Sequence, residues 1–194
     1  MRTTPWFSGF TAEAHTASGR TYPLIAISRR WPGDRQRFTL AHELGHRLLS
    51  GRLRGGIDEE NACDRFAGAF LAPRSSVQFL LGKERLKIEW QELLKLKHEF
   101  GLSMLGWLMR ARQCEIITDA VYTKQIKQFS ARGWRKKEPG PPLAEESSQF
   151  FELFVWRAPG EGCITPSKAA ELLGIPLIIL QKKRLIEQHD DAPQ

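Results

Sequence analysis

The chain has 194 residues, of which 41% are hydrophobic and 26% are charged. A chain of this length can form one well-packed hydrophobic core and a small appended domain. No run approaches the roughly 18 apolar residues of a membrane-spanning helix, and the N-terminus lacks the apolar core of a secretory signal, so we expect no membrane contact. The three cysteines, Cys63, Cys114 and Cys163, are widely spaced, which argues against a disulfide framework or a CxxC zinc site and favours a reducing cytoplasm.

The net charge of +7 is concentrated in one segment, residues 124–137. Its basic residues are Lys124, Lys127, Arg132, Arg135, Lys136 and Lys137. Such a run is either a solvated basic face or a surface for acidic partners, and we keep a weak nucleic-acid contact as the functional alternative.

Two helices and a strand are predicted in the first part of the chain. The run YPLIAIS, residues 22–28, is typical of a strand. Asp34 is a plausible N-cap for a helix over residues 35–49, and a second helix follows over residues 59–71, ended by Pro73. The second helix has apolar residues at helical spacing that we expect to face the core: Cys63, Phe66, Ala67 and Phe70.

The rest of the chain predicts further helices. Two amphipathic patterns between residues 88 and 112, with Ser103 as the second N-cap, resemble a helix-turn-helix but equally suit a pair that covers a core. Near the C-terminus, Thr165 predicts a cap and Pro166 a first helical position, and Gly174 predicts a break. The predicted parts are residues 1–82, a core domain; 83–135, a helical extension; 136–149, a linker rich in Pro, Gly and Ser; and 150–194, a helical module.

The stretch HELGH, residues 42–46, has the spacing of a metal site. Residues i and i+4 share one helix face, so His42 and His46 can bind one ion, while Glu43 can reach a water beside it. This is the HExxH pattern of two zinc ligands and a general base; two histidines met by chance are the alternative. Gly45 costs roughly 1 kcal/mol in a helix relative to alanine, which predicts a close approach of another backbone there.

A third ligand is available at the start of the second helix. Glu60 lies 14 residues after His46, and Asp64 follows one turn later, where it can orient a histidine ring. Glu59 is the rival ligand, but only Glu60 is in phase with the apolar stripe. The alternative is that Glu60 and Asp64 are exposed acidic residues at a helix N-terminus, where the helix dipole favours negative charge.

The strings RQRFTLAHELGHRLL and ENACDRFAGAFLAP resemble the ImmA/IrrE family of metallo-endopeptidases. Weaker similarities, ELLKLKHEFGLSMLGWLMRA, SARGWRKKEPG and ITPSKAAELLG, follow in the family's order, so that the resemblance covers roughly residues 22–180. It implies a cytoplasmic, zinc-dependent peptidase that cleaves a helix-turn-helix repressor and derepresses stress or mobile-element genes. By position, His42 and His46 match the histidine ligands, Glu43 the general base and Glu60 the glutamate ligand, and Asp64 falls where the family often has Asn or Asp.

We therefore expect an α+β fold, with a small sheet beside helices forming a minimal zincin-like peptidase domain, followed by helix-turn-helix-like modules. The expected ion is Zn²⁺, with Mn²⁺ as the alternative, because geometry and availability decide occupancy. Family members usually have a helix and a strand ahead of the region matching residues 5–30, whereas only 41 residues precede His42 here. We expect this departure to affect the substrate cleft and not the metal ligands.

Other roles follow less directly from the residues. The strand at residues 22–28 is a candidate for docking an extended substrate, and the candidates for stabilising the oxyanion are Tyr22, His98 and Tyr122. The alternative function is a non-enzymatic DNA-binding or antitoxin-like regulator with a relic or structural metal site. Against this alternative, residues 177–180 are all apolar, where a recognition helix should carry polar, base-reading side chains, so we expect residues 150–188 to bind protein.

Overall fold

The computed structural model describes residues 8–16 and 18–190, and it describes their side chains except those of residues 149 and 185–190. The chain divides into two compact units, residues 1–146 and residues 147–194. Over the described ranges, every helix is too short or too polar to cross a lipid bilayer.

The fold is α+β, as the sequence predicts, and its sheet has two strands. Strand β1 (Gly9–His15) pairs in antiparallel register with β2 (Thr21–Ile27), so that Gly9 lies opposite Ile27 and His15 lies opposite Thr21. Strand β2 confirms the predicted strand. The sequence GFTAEAH of β1 has little of the β-branched alternation that identifies a strand, and we did not predict it.

Helices α1 (Gly33–Leu49) and α2 (Glu59–Leu71) confirm the first two predicted helices. The predicted cap of α1 is wrong: its N-cap is Pro32, and Asp34 lies inside the first turn, where its carboxylate pairs with Lys97. Helix α2 is capped by Asp58, which accepts a hydrogen bond from the amide of Asn61.

The packing of α1 on α2 explains the glycine in HELGH. A Cβ at position 45 would lie 3.2 Å from the Cα of Cys63 and 3.2 Å from the ring of Phe66. The predicted close approach of another backbone is thus confirmed. Cys63 and Ala67 are fully buried, and Cys63 lies against α1. The prediction that Phe70 faces the core is wrong: Phe70 is 58% exposed, and its ring stacks on Phe66.

The core of the first unit lies in the helices that follow. These are α3 (Arg74–Leu81), α4 (Trp90–Phe100), α5 (Met104–Gln113) and α6 (Asp119–Ala131). Helices α4 and α5 are the predicted pair, and Ser103 caps α5 by accepting from the amide of Gly106. The side chains of Met104, Trp107 and Leu108 are fully buried, so one face of α5 fills the core.

Residues 136–146, which we call the strap, are packed on the first unit. The amide of Gly33 donates to the carbonyl of Leu143 (3.2 Å), and the amide of Glu146 donates to Oε1 of the buried Gln36 (2.8 Å). Most of the predicted linker therefore belongs to the first unit. The division of residues 1–135 at position 82 stays a prediction.

The second unit contains α7 (Gln149–Arg157), α8 (Pro166–Leu173) and α9 (Leu177–Asp190). Thr165 caps α8 by accepting from the amide of Lys168, and Gly174 ends that helix with φ 63°, both as predicted. A small core joins the three helices through Val155, Ala169, Ala170 and Leu180.

Candidate metal centre

Helix α1 directs two imidazole rings toward each other. The Nε2 atoms of His42 and His46 are 3.1 Å apart, and both side chains are mostly buried. This convergence follows from the four-residue spacing, which places both rings on the helix face that packs on α2.

The first turn of α2 adds a carboxylate between the two rings. Glu60 Oε2 lies 3.3 Å from Nε2 of His42, and Glu60 Oε1 lies 3.4 Å from Nε2 of His46. Three ligand atoms bound to one tetrahedral zinc at about 2.0–2.1 Å would be about 3.3 Å from one another. The three predicted ligands thus have the separations that a shared ion requires.

Each histidine ring is oriented by a second carboxylate. Nδ1 of His42 is 2.8 Å from Asp64 Oδ1, and Nδ1 of His46 is 3.1 Å from Glu59 Oε1. A carboxylate at Nδ1 favours the tautomer with its proton on that nitrogen, so both Nε2 atoms present lone pairs. Two lone pairs and a carboxylate that face one another repel unless a cation lies between them, and the donor set therefore fits a metal ion.

Sequence reasoning did not assign Glu59 this place. The sequence presents it only as a rival ligand to Glu60, whereas in the structure its carboxylate contacts Nδ1 of His46, the ring nitrogen away from the three ligand atoms. The sequence did contain a signal for this role. Two adjacent carboxylates begin one predicted helix, and two histidines lie one turn apart on the other, so that each histidine could have a carboxylate partner. Asp64, which the prediction placed beside one of the two histidines without saying which, lies against Nδ1 of His42.

A second group of metal-binding residue types, His46, Glu59 and Cys63, overlaps the first. Burial raises the pKa of the Cys63 thiol, and the negative charges of Glu59, Glu60 and other nearby carboxylates raise it further. The two groups share His46, and the first contains both histidines of the HExxH pattern, so we assign the metal to the group of two histidines and Glu60.

A cleft of about 710 Å³ opens beside His42, and its lining includes His42, Glu43 and Asp64. Glu43 is mostly buried, and over the described ranges its carboxylate has no hydrogen bond and no ion pair. The first residue of β1 lies directly over it, because a Cβ at Gly9 would be 3.3 Å from Cγ of Glu43. The carboxylate is thus held in the cleft wall with its oxygens uncommitted.

Several other predicted residues lie elsewhere in the first unit. Tyr22, His98 and Tyr122 are not among the cleft-lining residues, and of the sheet only β1 contributes to the lining, through Gly9. Substrate docking on β2 therefore stays a prediction.

The basic segment divides between two surfaces. Arg135, Lys136 and Lys137 line the cleft, whereas Lys124 and Lys127 line a separate shallow depression on α6.

The comparison with known families agrees with this geometry. The family model described as the IrrE N-terminal-like domain, of the M78 peptidases, matches residues 7–111, which is more than half of the chain. The matched range includes His42, Glu43, His46 and Glu60. No curated protein and no solved structure shows significant similarity to the chain. The chain belongs to the ImmA/IrrE family of metallopeptidases.

Proposed function

We propose that this protein is a zinc-dependent endopeptidase that cleaves a helix-turn-helix transcriptional repressor. Three observations support the proposal: the family, the tetrahedral spacing of the three ligand atoms, and an uncommitted carboxylate beside them. The third observation favours an enzyme over a structural metal site, because a structural site does not need a free carboxylate in an adjoining cleft. His42, His46 and Glu60 would hold the ion.

The roles of the chain's own residues follow from their positions. A zinc ion held here supplies Lewis acidity toward the scissile carbonyl and brings the pKa of bound water toward about 7. Glu43 takes the proton of the attacking water and passes it to the leaving amine, which a carboxylate without other hydrogen bonds can do. Asp64 and Glu59 fix the two imidazole rings and keep their Nε2 lone pairs turned toward the ion.

The biological role proposed here extends the family resemblance. Cleavage of the repressor would derepress stress or mobile-element genes in the cytoplasm, and manganese is the alternative metal. A weak nucleic-acid contact through residues 124–137 stays a prediction. The rival reading, a non-enzymatic regulator with a relic or structural metal site, differs in requiring no general base.

The Glu43→Gln variant tests the proposal. It should fold and bind zinc as the wild type does while losing nearly all hydrolysis of the helix-turn-helix repressor encoded nearby, since only the base is removed. Glu84→Gln, which removes an exposed carboxylate outside the cleft, is the matched control and should cleave at the wild-type rate. Cleavage is followed by mass spectrometry of the fragments, with and without a chelator. Relief of repression by Glu43→Gln at the wild-type level in cells would refute the peptidase function.

A further inference from the structure

One wall of the cleft has three consecutive basic side chains. Arg135, Lys136 and Lys137 are exposed, and within the described part of the chain none of them forms an ion pair. A tight turn places them there, since the amides of Lys136 and Lys137 both donate to the carbonyl of Gly133, whose φ is 72°. Their positive charges therefore line the cleft without a salt-bridge partner among the described residues.

Two acidic residues of the cleft share one buried cation. Asp34 and Glu138 both pair with the buried ammonium group of Lys97, at 3.2 and 2.8 Å. Glu138 also accepts hydrogen bonds from the amides of Met104 and Leu105 at the start of α5. Both carboxylates are thus held by Lys97 and not by Lys136 or Lys137, although the cluster as a whole keeps one negative charge.

The cleft lining also includes another cation and apolar surface. Arg35 stacks on the ring of Trp31 at 4.1 Å and donates to Oγ of Ser8 at 3.1 Å. Trp31, Phe38 and Trp134 supply the aromatic lining. A ligand for this cleft needs acidic groups together with apolar side chains, which is the chemistry of a peptide.

We propose that the cleft selects an extended peptide segment whose acidic side chains contact Lys136 and Lys137 while its backbone lies beside Glu43. This inference rests on the proposed function and names its substrate class. The cleft lining also includes the carboxylates of Glu43 and Asp64, which would repel a continuous phosphate backbone, whereas a peptide can place uncharged residues beside them; the observations therefore favour an acidic peptide over nucleic acid.

Binding is tested with the full zinc-loaded chain carrying Glu43→Gln, so that no probe is cleaved. The probes are a fluorescent unstructured peptide in which glutamate alternates with alanine and leucine, and the same peptide with glutamine. Lys136→Gln/Lys137→Gln is compared with Lys124→Gln/Lys127→Gln, which removes the same charge from the separate surface of α6. Thermal melts check that both double variants remain folded.

We expect the glutamate peptide to bind more tightly than the glutamine peptide. Lys136→Gln/Lys137→Gln should raise the Kd of the glutamate peptide by roughly 2- to 30-fold, as two exposed ion pairs allow, and leave the glutamine peptide unchanged. Lys124→Gln/Lys127→Gln should change either Kd by less than about twofold.

Equal losses in the two double variants would show only long-range attraction and would overturn the proposal. Equal affinity for the two peptides, or no binding of either, would also overturn it. So would a DNA duplex that binds more tightly than the glutamate peptide and loses that binding in Lys136→Gln/Lys137→Gln. Cleavage by the wild type is measured separately on both peptides and on the repressor. Cleavage without a preference for glutamate refutes the acidic substrate class alone, whereas glutamate-dependent binding with no metal-dependent cleavage of any substrate refutes the proposed function.

Discussion

A buried ion-pair cluster joins α1, α4 and the strap, and its removal has a calculable cost. The ammonium group of Lys97 lies 3.2 Å from Asp34 Oδ2 and 2.8 Å from Glu138 Oε2. The three side chains are only 7%, 8% and 10% exposed. Lys97→Met keeps most of the aliphatic volume but leaves two carboxylates buried without their cation.

Breaking a buried ion pair by removing one partner costs roughly 3–5 kcal/mol. Glu138 retains its two backbone amides, so we expect Lys97→Met to lower the free energy of unfolding of the first unit by about 4 kcal/mol. Lys95→Met, an exposed position on the same helix, is the matched control and should change it by less than about 0.5 kcal/mol.

The direction of the Lys97 pKa shift fixes the pH range of this effect. Burial alone lowers the pKa of Lys97, but hydrogen bonds and charges from Glu138 and Asp34 outweigh burial and raise the pKa above its usual value. A raised lysine pKa means that the stabilisation is complete below the unfolded pKa of about 10.4 and is lost only as pH rises through the folded pKa. The difference between wild type and Lys97→Met should therefore be the same at about pH 7 and about pH 9.

Urea unfolding followed by tryptophan fluorescence measures this difference, since Trp90, Trp107 and Trp134 belong to the first unit. The triple variant Asp34→Asn/Lys97→Met/Glu138→Gln separates buried charge from lost packing, and it should recover about half of the lost stability. A loss below about 1 kcal/mol in Lys97→Met, or a triple variant no more stable than the single one, would refute the reasoning.

Three further predictions concern the site and its supports. Glu59→Gln and Asp64→Asn should each weaken zinc binding by about 10- to 100-fold, because both carboxylates orient the rings of ligand histidines. A zinc titration in which Glu59→Gln binds as tightly as wild type would show that Glu59 does not support the site. Gly45→Ala should lower zinc affinity even though alanine favours the helix by about 1 kcal/mol, because its methyl group would lie 3.2 Å from the backbone of α2 and separate the ligands; unchanged affinity would contradict the close packing. Gly33→Ala should displace the strap, since its Cβ would lie 2.2 Å from a strap carbonyl, and limited proteolysis should cut near position 140 faster than in wild type; unchanged cleavage would argue against that contact.

Local signals in the sequence were sufficient for the helices that carry the site. Helix α2 has the predicted bounds because Asp58 and Pro73 limit it, and α5 begins after the predicted cap Ser103. The i, i+4 spacing of His42 and His46 determines their convergence without any tertiary information.

Contacts between distant residues could not be predicted in the same way. Lys97 pairs with Glu138, which is 41 residues away in the predicted linker. This contact helps to hold residues 136–146 on the first unit, to which most of the predicted linker belongs. The prediction of Asp34 as a cap is also wrong because of a distant residue: its carboxylate pairs with the buried ammonium group of Lys97 and not with the helix N-terminus. The role of Glu59 depends on how α2 lies against α1, which helical periodicity does not specify.

The zinc content of the purified full chain tests the central claim most directly. We predict about one zinc per chain for the wild type and for His15→Ala, a control on β1 outside the cleft, and essentially none for His42→Ala after equal dialysis at near-neutral pH. Wild-type protein that takes up no zinc, or a His42→Ala variant that retains it as tightly as wild type, would contradict the assignment of His42, His46 and Glu60 as a metal centre.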